Sequence, residues 1–226
     1  MENLFLENGI KLSKEQLERF EKYYQLLVYY NEKFNITAIT EKEEVYKKHF
    51  VDSLLGVDKI EGKKLIDIGS GGGFPALPLK IYNENLDVTM VEATGKKCEF
   101  LRAVIHELGL NGVQVINDRA ELLIKRDGMR EGFDICTARA VARLNTLAEY
   151  CMPFVKVNGL FVSYKGDATE EIEEAKNAVK ILGGEIVEAE IKELYGAKRQ
   201  FVVVKKIQKT DKKYPRGNGK ERKNPL

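Results

Sequence analysis

The first 60 residues carry a helical pattern of hydrophobic positions. Ser13-Lys-Glu-Gln16 has the form of a capping box, in which the serine and glutamine side chains bond the free backbone N–H groups at a helix start. Apolar side chains then recur at intervals of three and four residues, which predicts a helix of about 20 residues ending near Phe34. These positions are Leu17, Phe20, Tyr24, Leu27 and Val28.

A second capping box, Thr40-Glu-Lys-Glu43, predicts another helix in the same region. This helix should carry Val45, His49, Phe50 and Leu54. We therefore expect residues 1–60 to form an N-terminal helical region that packs on the rest of the molecule.

From residue 64 onward the pattern changes to short apolar runs that alternate with helical periodicity. This alternation predicts βαβ units and an α/β fold, with a mostly parallel sheet between two layers of helices. The predicted strands are residues 65–68, 88–91, 113–116, 133–138 and 160–164. The predicted helices are residues 75–82, 96–108, 119–125, 144–153 and 169–182. Two further strands, residues 185–193 and 200–205, have only a turn at Tyr195-Gly196-Ala197 between them, which indicates a C-terminal antiparallel hairpin.

Charge is distributed unevenly along the chain. The 226 residues carry 37 basic and 35 acidic side chains, but residues 1–204 have a net charge of −5 and residues 205–226 a net charge of +7. The basic end has few aliphatic residues and several prolines and glycines, so we expect a flexible arm. A basic arm on an acidic body favours a nucleic acid as partner, and the alternative is a solubilising terminus. The predicted division is a core domain of residues 61–206 followed by residues 207–226, the C-terminal tail.

Several classes of protein are disfavoured by composition. No apolar run approaches the roughly 20 residues of a membrane span, and the start lacks the cationic stretch of a secretory signal, so we expect a cytoplasmic protein without membrane contact. Three cysteines and two histidines are too few and too widely spaced for a metal site, so no metal is expected. The cysteines are interpreted as buried structural thiols.

The first predicted strand runs into Asp67-Ile-Gly69-Ser-Gly71-Gly-Gly73-Phe74-Pro75, directly before a helix. Glycines at such a point allow a sharp turn and a close approach of a ligand to the backbone. Phe74 occupies the place of the third glycine of a dinucleotide-binding loop, and a Walker A motif is absent. The spacing matches the acidic glycine loop of S-adenosylmethionine-dependent methyltransferases. An ordinary strand-to-helix turn is the alternative.

Two later segments follow the loop in the expected order. Glu92 ends the second predicted strand, where a carboxylate can accept hydrogen bonds from ribose hydroxyls. Residues 117–121 follow the third strand, where a contact to an adenine edge would come. Taken alone, Glu92 is equally an exposed residue leading a helix, and residues 117–121 are ordinary polar residues at a helix start.

These motifs together resemble the bacterial ribosomal RNA small subunit methyltransferase G family, also called glucose-inhibited division protein B. The similarity extends from about residue 10 to the end of the chain. The segments that carry it are Asn35-Ile-Thr-Ala-Ile39, His49-Phe-Val-Asp52-Ser53-Leu54, the loop from Asp67 to Pro75, Gly95-Lys96-Lys97, Phe100-Leu-Arg102, Arg119-Ala-Glu121, Arg139-Ala140, and Tyr214-Pro215-Arg216 through Asn224-Pro225-Leu226. Glu92 stands where the family usually has Asp, and Ala76 where Gly is usual.

The resemblance implies a class I Rossmann-like methyltransferase that uses S-adenosylmethionine to methylate guanine N7 in 16S ribosomal RNA. Guanine N7 already carries a free lone pair, so no general base is obligatory and positioning should dominate catalysis. Arg139 and Lys165 are the positioning candidates. The expected cofactor-binding residues are Asp67, Gly69, Gly71, Gly73, Phe74, Glu92, Ala120, Glu121 and Arg139.

RNA should be bound by cations at the rim and in the tail. The expected residues are Arg119, Lys165, Lys212, Lys213, Arg216, Lys220, Arg222 and Lys223. The resemblance places His49 and Asp52 near the mouth of the active site, whereas the residues themselves favour a packed helix face. A monomer is expected.

Two other functions remain open from the sequence. A ribose 2′-O methyltransferase would need an acid that the fourth predicted strand lacks where it ends at Arg139. A non-catalytic RNA-binding or ribosome assembly factor would not need the complete glycine loop.

Overall fold

A computed structural model describes residues 1–139 and 142–226, so Ala140 of the Arg139-Ala140 motif lies outside the described residues. A single seven-stranded sheet has the order β3-β2-β1-β4-β5-β7-β6. β1 to β5 are parallel, and β7 runs antiparallel to both β5 and β6. The strands are β1 (Lys64–Ile68), β2 (Asp87–Glu92), β3 (Val113–Asn117), β4 (Phe133–Arg139), β5 (Val155–Lys165), β6 (Gly184–Leu194) and β7 (Ala197–Lys206). The predicted mostly parallel sheet with an antiparallel hairpin at its C-terminal end is confirmed.

The helices follow the predicted alternation. The α-helices are α1 (Glu2–Leu6), α2 (Lys14–Phe34), α3 (Lys42–Val45), α4 (Asp52–Leu54), α5 (Ala76–Tyr82), α6 (Gly95–Glu107), α7 (Ala120–Leu123), α8 (Leu144–Cys151), α9 (Thr169–Ile181) and α10 (Lys220–Lys223). A π-helix (Tyr46–Val51) joins α3 to α4, and 3-10 turns span Val57–Lys59 and Met152–Phe154. The short α1 and α10 were not predicted, because neither is long enough to show helical periodicity.

The two capping predictions had different outcomes. Ser13 caps α2 through the complete capping box with Gln16, as predicted. The second prediction was wrong by one residue, because Glu41 rather than Thr40 caps α3 and accepts a hydrogen bond from the Glu44 amide. The π-helix that follows contains His49 and ends directly before Asp52. Such π segments are frequent at functional sites.

The N-terminal helices share one hydrophobic core with a face of the sheet. Phe20, Tyr23 and Phe50 are fully buried together with Phe100 of α6. The Tyr23 hydroxyl donates a hydrogen bond to the Gly72 carbonyl oxygen, which ties α2 to the glycine loop. The opposite face is covered by α8 and α9, whose buried residues pack in one cluster with two of the predicted structural thiols, Cys136 and Cys151. All three cysteines, Cys98, Cys136 and Cys151, are buried and free, which confirms their interpretation.

The C-terminal tail folds against the body, so the expectation of a flexible arm was wrong. Lys206 and Thr210 are buried, and the Lys206 ammonium donates hydrogen bonds to the Met152 carbonyl oxygen and the Thr210 hydroxyl, at 2.7 and 2.6 Å. Further along, Tyr214 is buried against the α8 side of the sheet. Because a few buried anchors suffice to order a polar segment, low overall hydrophobicity did not indicate its structure. None of the helices in residues 1–139 and 142–226 combines the length and apolar character that a membrane crossing requires.

Candidate active site

The candidate site lies where the strand order reverses. β1 pairs with β2 on one side and with β4 on the other, so the connections from β1 and β4 leave toward opposite faces. Ligands of open α/β sheets bind at this switch point, beyond the carboxyl ends of the strands. Two cavities open along this edge. The first lies over β1, β2 and β3, and the second lies over β4, β5 and the amino end of β7.

The glycine loop is held by backbone and carboxylate hydrogen bonds. The amides of Gly69 and Ser70 both donate to the Val91 carbonyl oxygen of β2, at 2.8 and 3.1 Å. The buried carboxylate of Glu92 accepts from the Gly71 amide at 2.9 Å and from the Thr94 amide at 2.8 Å. Glu92 therefore joins the end of β2 to the loop after β1, and each of its oxygens keeps a second lone pair.

Asp67 is fully buried beneath this loop at the end of β1. Its Oδ1 accepts a hydrogen bond from the Thr137 hydroxyl of β4 at 2.7 Å, while its Oδ2 is buried with no hydrogen-bond partner among the described residues. Burial raises the pKa of the Asp67 carboxyl to about 6, although hydrogen bonds and the nearby Arg139 charge act in the opposite direction. A buried acceptor without a partner is costly, so a donor or cation supplied at this point would be stabilised.

The first cavity, with a volume of about 310 Å³, is suited to an adenosyl group. Its floor includes Gly69 and Ala93, where only small groups separate the strand ends from a ligand. Its wall comes from residues 118–121, as the predicted adenine contact requires, and from Tyr150 of α8. Two residues of the C-terminal tail, Gly219 and Arg222, complete the lining.

Gly71 and Gly73 of the loop differ in what a side chain at their positions would contact. Gly71 has φ +55°, and a Cβ there would meet only the Gly69 carbonyl oxygen at 3.8 Å, so the position is open. Gly73 has φ +89°, and a Cβ would come within 2.6 Å of Leu77 Cδ1 and of the Tyr23 hydroxyl oxygen. Close packing against α2 and α5 therefore explains Gly73, whereas packing within the protein does not explain Gly71.

The second cavity, of about 330 Å³, contains a network of buried charges. The Asp52 carboxylate is shared by two arginines: Arg139 Nη1 donates to Oδ2 at 2.9 Å, and Arg199 Nε donates to Oδ1. Tyr164 and Phe201 form an apolar part of its lining. The cavity thus offers a carboxylate acceptor and guanidinium donors beside aromatic carbon, which suits a planar base with donors and acceptors on its edge.

His49 lies in the same cavity as a neutral group. Burial and then the Arg139 charge lower the pKa of His49 to about 3. The His49 ring stacks on Phe74 with the two ring centroids 4.5 Å apart. The guanidinium carbon of Arg139 lies 4.9 Å from the centroid of the same Phe74 ring. His49 Nδ1 lies 3.0 Å from the Lys48 carbonyl oxygen, which can only accept, and 3.2 Å from Arg139 Nη2, which can only donate, so these two contacts call for opposite tautomers. Nε2 lies 2.9 Å from the Thr37 hydroxyl.

Comparison with known proteins identifies the family. The family model for rRNA small subunit methyltransferase G matches residues 16–202, which is most of the chain. The chain belongs to this family. It is 46% identical over 227 residues to the ribosomal RNA small subunit methyltransferase G of Clostridium botulinum (strain Eklund 17B / Type B), covering 96% of this chain and 94% of the relative. The protein of the same name from Bacillus cytotoxicus is 47% identical over 226 residues, covering 97% and 95%.

Solved structures with low identity show the fold. TYW2 of M. jannaschii, solved in complex with AdoMet, has a TM-score of 0.58 at 16% identity over 75% of this chain and 80% of its own. Geranyl diphosphate methyltransferase, solved with GPP and sinefungin, has a TM-score of 0.57 at 11% identity over 69% of this chain and 76% of its own. The class I methyltransferase fold implied by the resemblance is therefore confirmed.

The expected cofactor-binding residues lie in three different places in the structure. Gly69, Ala120 and Glu121 line the first cavity. Asp67 and Glu92 are buried beneath the loop, and Gly71 is held in it by the hydrogen bond from its amide to Glu92. Gly73 and Phe74 pack into the core beside Tyr23, and Arg139 lies in the second cavity.

The expected RNA-binding residues also differ in their surroundings. Lys165 lines the second cavity, where it is mostly buried and donates to the Ala142 carbonyl oxygen at 2.5 Å and to Glu171 at 2.7 Å, so its ammonium is engaged within the protein. The guanidinium of Arg216, also expected to bind RNA, is engaged by the buried carboxylate of Glu149. The exposed cations are Arg119, Lys212, Lys213, Lys220, Arg222 and Lys223.

Arg199, Tyr150 and Gly219 were missed in the sequence. Because β7 runs antiparallel to β5, its amino end rather than its carboxyl end reaches the functional edge, and Arg199 sits there. The alternating strand pattern that predicted the hairpin could have indicated Arg199, since it implies the direction of β7. Tyr150 carried no motif signal, whereas Gly219 lies within the segment from Tyr214 to Leu226 that carries part of the resemblance. Within the described residues no group of three His, Cys, Asp or Glu side chains could hold a metal ion.

We predict that Asp67→Asn stabilises the ligand-free protein at pH 7.5 but not at pH 4. The pKa of about 6 lies above the ordinary value of 3.8, so the folded state binds this proton more tightly and loses stability as pH rises from about 4 to 6. Two pKa units correspond to about 3 kcal/mol at most. Urea unfolding across this pH range measures the effect, with the half-buried Asp87→Asn as control. A difference from wild type that does not change with pH would contradict the prediction.

Proposed function

We propose that this chain transfers a methyl group from S-adenosylmethionine to guanine N7 of 16S ribosomal RNA. The observation that carries the proposal is the buried Asp67 carboxylate, which has an unpartnered oxygen directly below a glycine loop and beside a cavity of about 310 Å³. A sulfonium cofactor carries positive charge and no phosphate, so a buried carboxylate beneath the loop favours it over a nucleotide phosphate. The names of the relatives, ribosomal RNA small subunit methyltransferase G, support the choice of substrate.

The described residues fit this cofactor. Gly69 and Ala93 allow close approach of the adenosyl group, and residues 118–121 would border its adenine. Glu92 fixes the loop and has lone pairs left for ribose hydroxyls. The cofactor supplies an electrophilic methyl carbon, and the protein's part is to hold it and the base in line.

The second cavity is the proposed place of the target base. A guanine edge presents N1–H and N2–H₂ donors together with the O6 acceptor, which match the Asp52 carboxylate and the arginine forks around it. Such pairing would leave N7 unprotonated and free to attack. The neutral His49 already uses both ring nitrogens within the protein, and N7 needs no proton removed, so no general base is assigned.

Methylation by the purified protein tests the function. The protein is incubated with tritiated S-adenosylmethionine and either naked 16S RNA or small ribosomal subunits, and the labelled nucleoside is identified after digestion. Label in 7-methylguanosine supports the proposal. Label on ribose or on another base rejects N7 specificity, and cofactor binding without transfer favours an assembly role. We place this activity in the cytoplasm, because ribosomal RNA and ribosomal subunits occur in that compartment.

Gly71→Leu should abolish cofactor binding while the protein stays folded. The open space at this position can accommodate a side chain in the ligand-free state, but that side chain would occupy the ligand's side of the loop. Calorimetry with S-adenosylhomocysteine measures the loss. Gly109→Leu is the matched control, because Gly109 also has a left-handed backbone, φ +61°, and open space but lies at the end of α6. Equal affinity for both variants would refute the loop assignment.

Asp52→Asn should lower methyl transfer at least tenfold at saturating cofactor. The change removes the charge that holds Arg139 and Arg199 in place, and buried pairs are sensitive to such loss. The affinity for S-adenosylhomocysteine should change less than threefold. Asp58→Asn is the control, since Asp58 also pairs with two cations, Lys59 and Lys192, but outside the cavity. Loss of cofactor affinity with unchanged transfer would place Asp52 in the cofactor site instead.

Replacing the exposed lysines Lys212, Lys213, Lys220 and Lys223 by Gln should weaken RNA binding and reduce its dependence on salt. Each phosphate contact to single-stranded RNA contributes about 0.7 to the slope of log affinity against log salt, so loss of all four lowers the slope by up to about 3. Filter binding at several salt concentrations measures the slope. An unaltered slope would remove the tail from the RNA interface.

A further inference from the structure

The C-terminal tail supplies part of the wall of the first cavity. Gly219 and Arg222 line it opposite Gly69 and Ala93, which are more than a hundred residues away in sequence. Tyr150 of α8 lines the same cavity. A role in solubility or in RNA binding does not require the tail to line a cavity next to the glycine loop.

Four contacts fix this part of the tail to the body. Arg216 makes a two-pronged ion pair with Glu149, with Nε to Oε1 at 2.9 Å and Nη2 to Oε2 at 2.7 Å, and the Glu149 side chain is only 1% exposed. The Thr146 hydroxyl donates to the Glu221 carbonyl oxygen at 3.0 Å. Arg130 Nη2 donates to the Tyr214 carbonyl oxygen at 2.6 Å.

These anchors hold the tail to the helix that carries Tyr150. Glu149 and Thr146 both belong to α8 and are buried. Their contacts with the tail therefore fix the position of residues 219–222 relative to Tyr150 of the same helix. Buried two-pronged pairs are geometrically specific, because the planar guanidinium matches both carboxylate oxygens. The position of Arg222 is therefore determined by the fold.

The charges around the cavity leave Arg222 available to a ligand. Asp118 is paired with Arg126, and Glu121 lies 3.8 Å from Arg119. Across residues 1–139 and 142–226, no carboxylate forms an ion pair with Arg222. A guanidinium in this position can stack on an adenine face or donate to its ring nitrogens.

We propose that the C-terminal tail is part of the cofactor site, and that Arg222 binds the adenosyl group of S-adenosylmethionine. This rests on the proposed function, because it assigns the first cavity to that cofactor. It replaces the expectation that Arg222 serves RNA. The lysines of the tail, which point outward, keep that expected role.

Calorimetric titrations of the full chain with S-adenosylhomocysteine and with 5′-methylthioadenosine test the proposal. Arg222→Ala should raise both dissociation constants at least tenfold and by equal factors, because both ligands share the adenosyl group and only the first has an amino acid portion. Arg222→Lys should recover little, since the planar fork is lost. Lys209→Ala is the control, because Lys209 is an exposed cation of the same tail away from the cavity.

A second variant tests the anchoring. Arg216→Gln breaks the pair with Glu149, and it should weaken both ligands while a ligand-free thermal melt shows that the protein remains folded. Wild-type protein that binds neither ligand would overturn the proposed function itself. Wild-type binding with an unchanged Arg222→Ala variant would overturn only the role of Arg222. Lower RNA affinity of Arg222→Ala with unchanged ligand binding would return the residue to the RNA interface.

Discussion

The rest of the site depends on the short gap between the end of β1 and the end of β2. Two amides of the glycine loop donate to the Val91 carbonyl oxygen, and the Glu92 carboxylate receives a third, so the loop is pulled toward β2. Because strand order reverses on the other side of β1, this pull opens a space that neither neighbouring strand can fill. Left-handed backbone at Gly69, Gly71 and Gly73 lets the chain make the turn.

The two cavities differ in whether the charge of their buried carboxylate is compensated by other groups of the protein. Below the first, a single carboxylate is buried with one oxygen unsatisfied, and the cost appears as the raised pKa of Asp67. In the second, Asp52 is surrounded by two guanidinium groups and a neutral imidazole, so its charge is compensated within the protein. The first arrangement is incomplete without a ligand, whereas the second is a preformed rigid template. This difference is consistent with a cofactor that completes its site and a base that is selected by shape and hydrogen bonding.

Most of the fold could be predicted from the sequence because its signals are local. Strand and helix periods located each βαβ unit, and Ser13 and Gln16 located the start of α2. The position of the glycine loop followed from its spacing alone. Long-range pairings could not be predicted in this way. The links from Glu149 to Arg216 and from Asp52 to Arg199 join residues 67 and 147 positions apart, and no periodicity reports them. For the same reason Lys165 and Arg216 were expected to bind RNA without any sign in the sequence that both are engaged by carboxylates.

The packing of the C-terminal tail has a consequence for synthesis of the chain. Residues are added from the amino end at about 5–20 per second, so Gly219 and Arg222, which line the first cavity, emerge after the strands of the sheet. The sheet and both helical layers can assemble earlier, since every strand ends by Lys206. A nascent or prematurely terminated chain can thus have a complete sheet and an open cavity. Docking of residues 207–226 onto the assembled sheet is then the step that completes the wall of the first cavity.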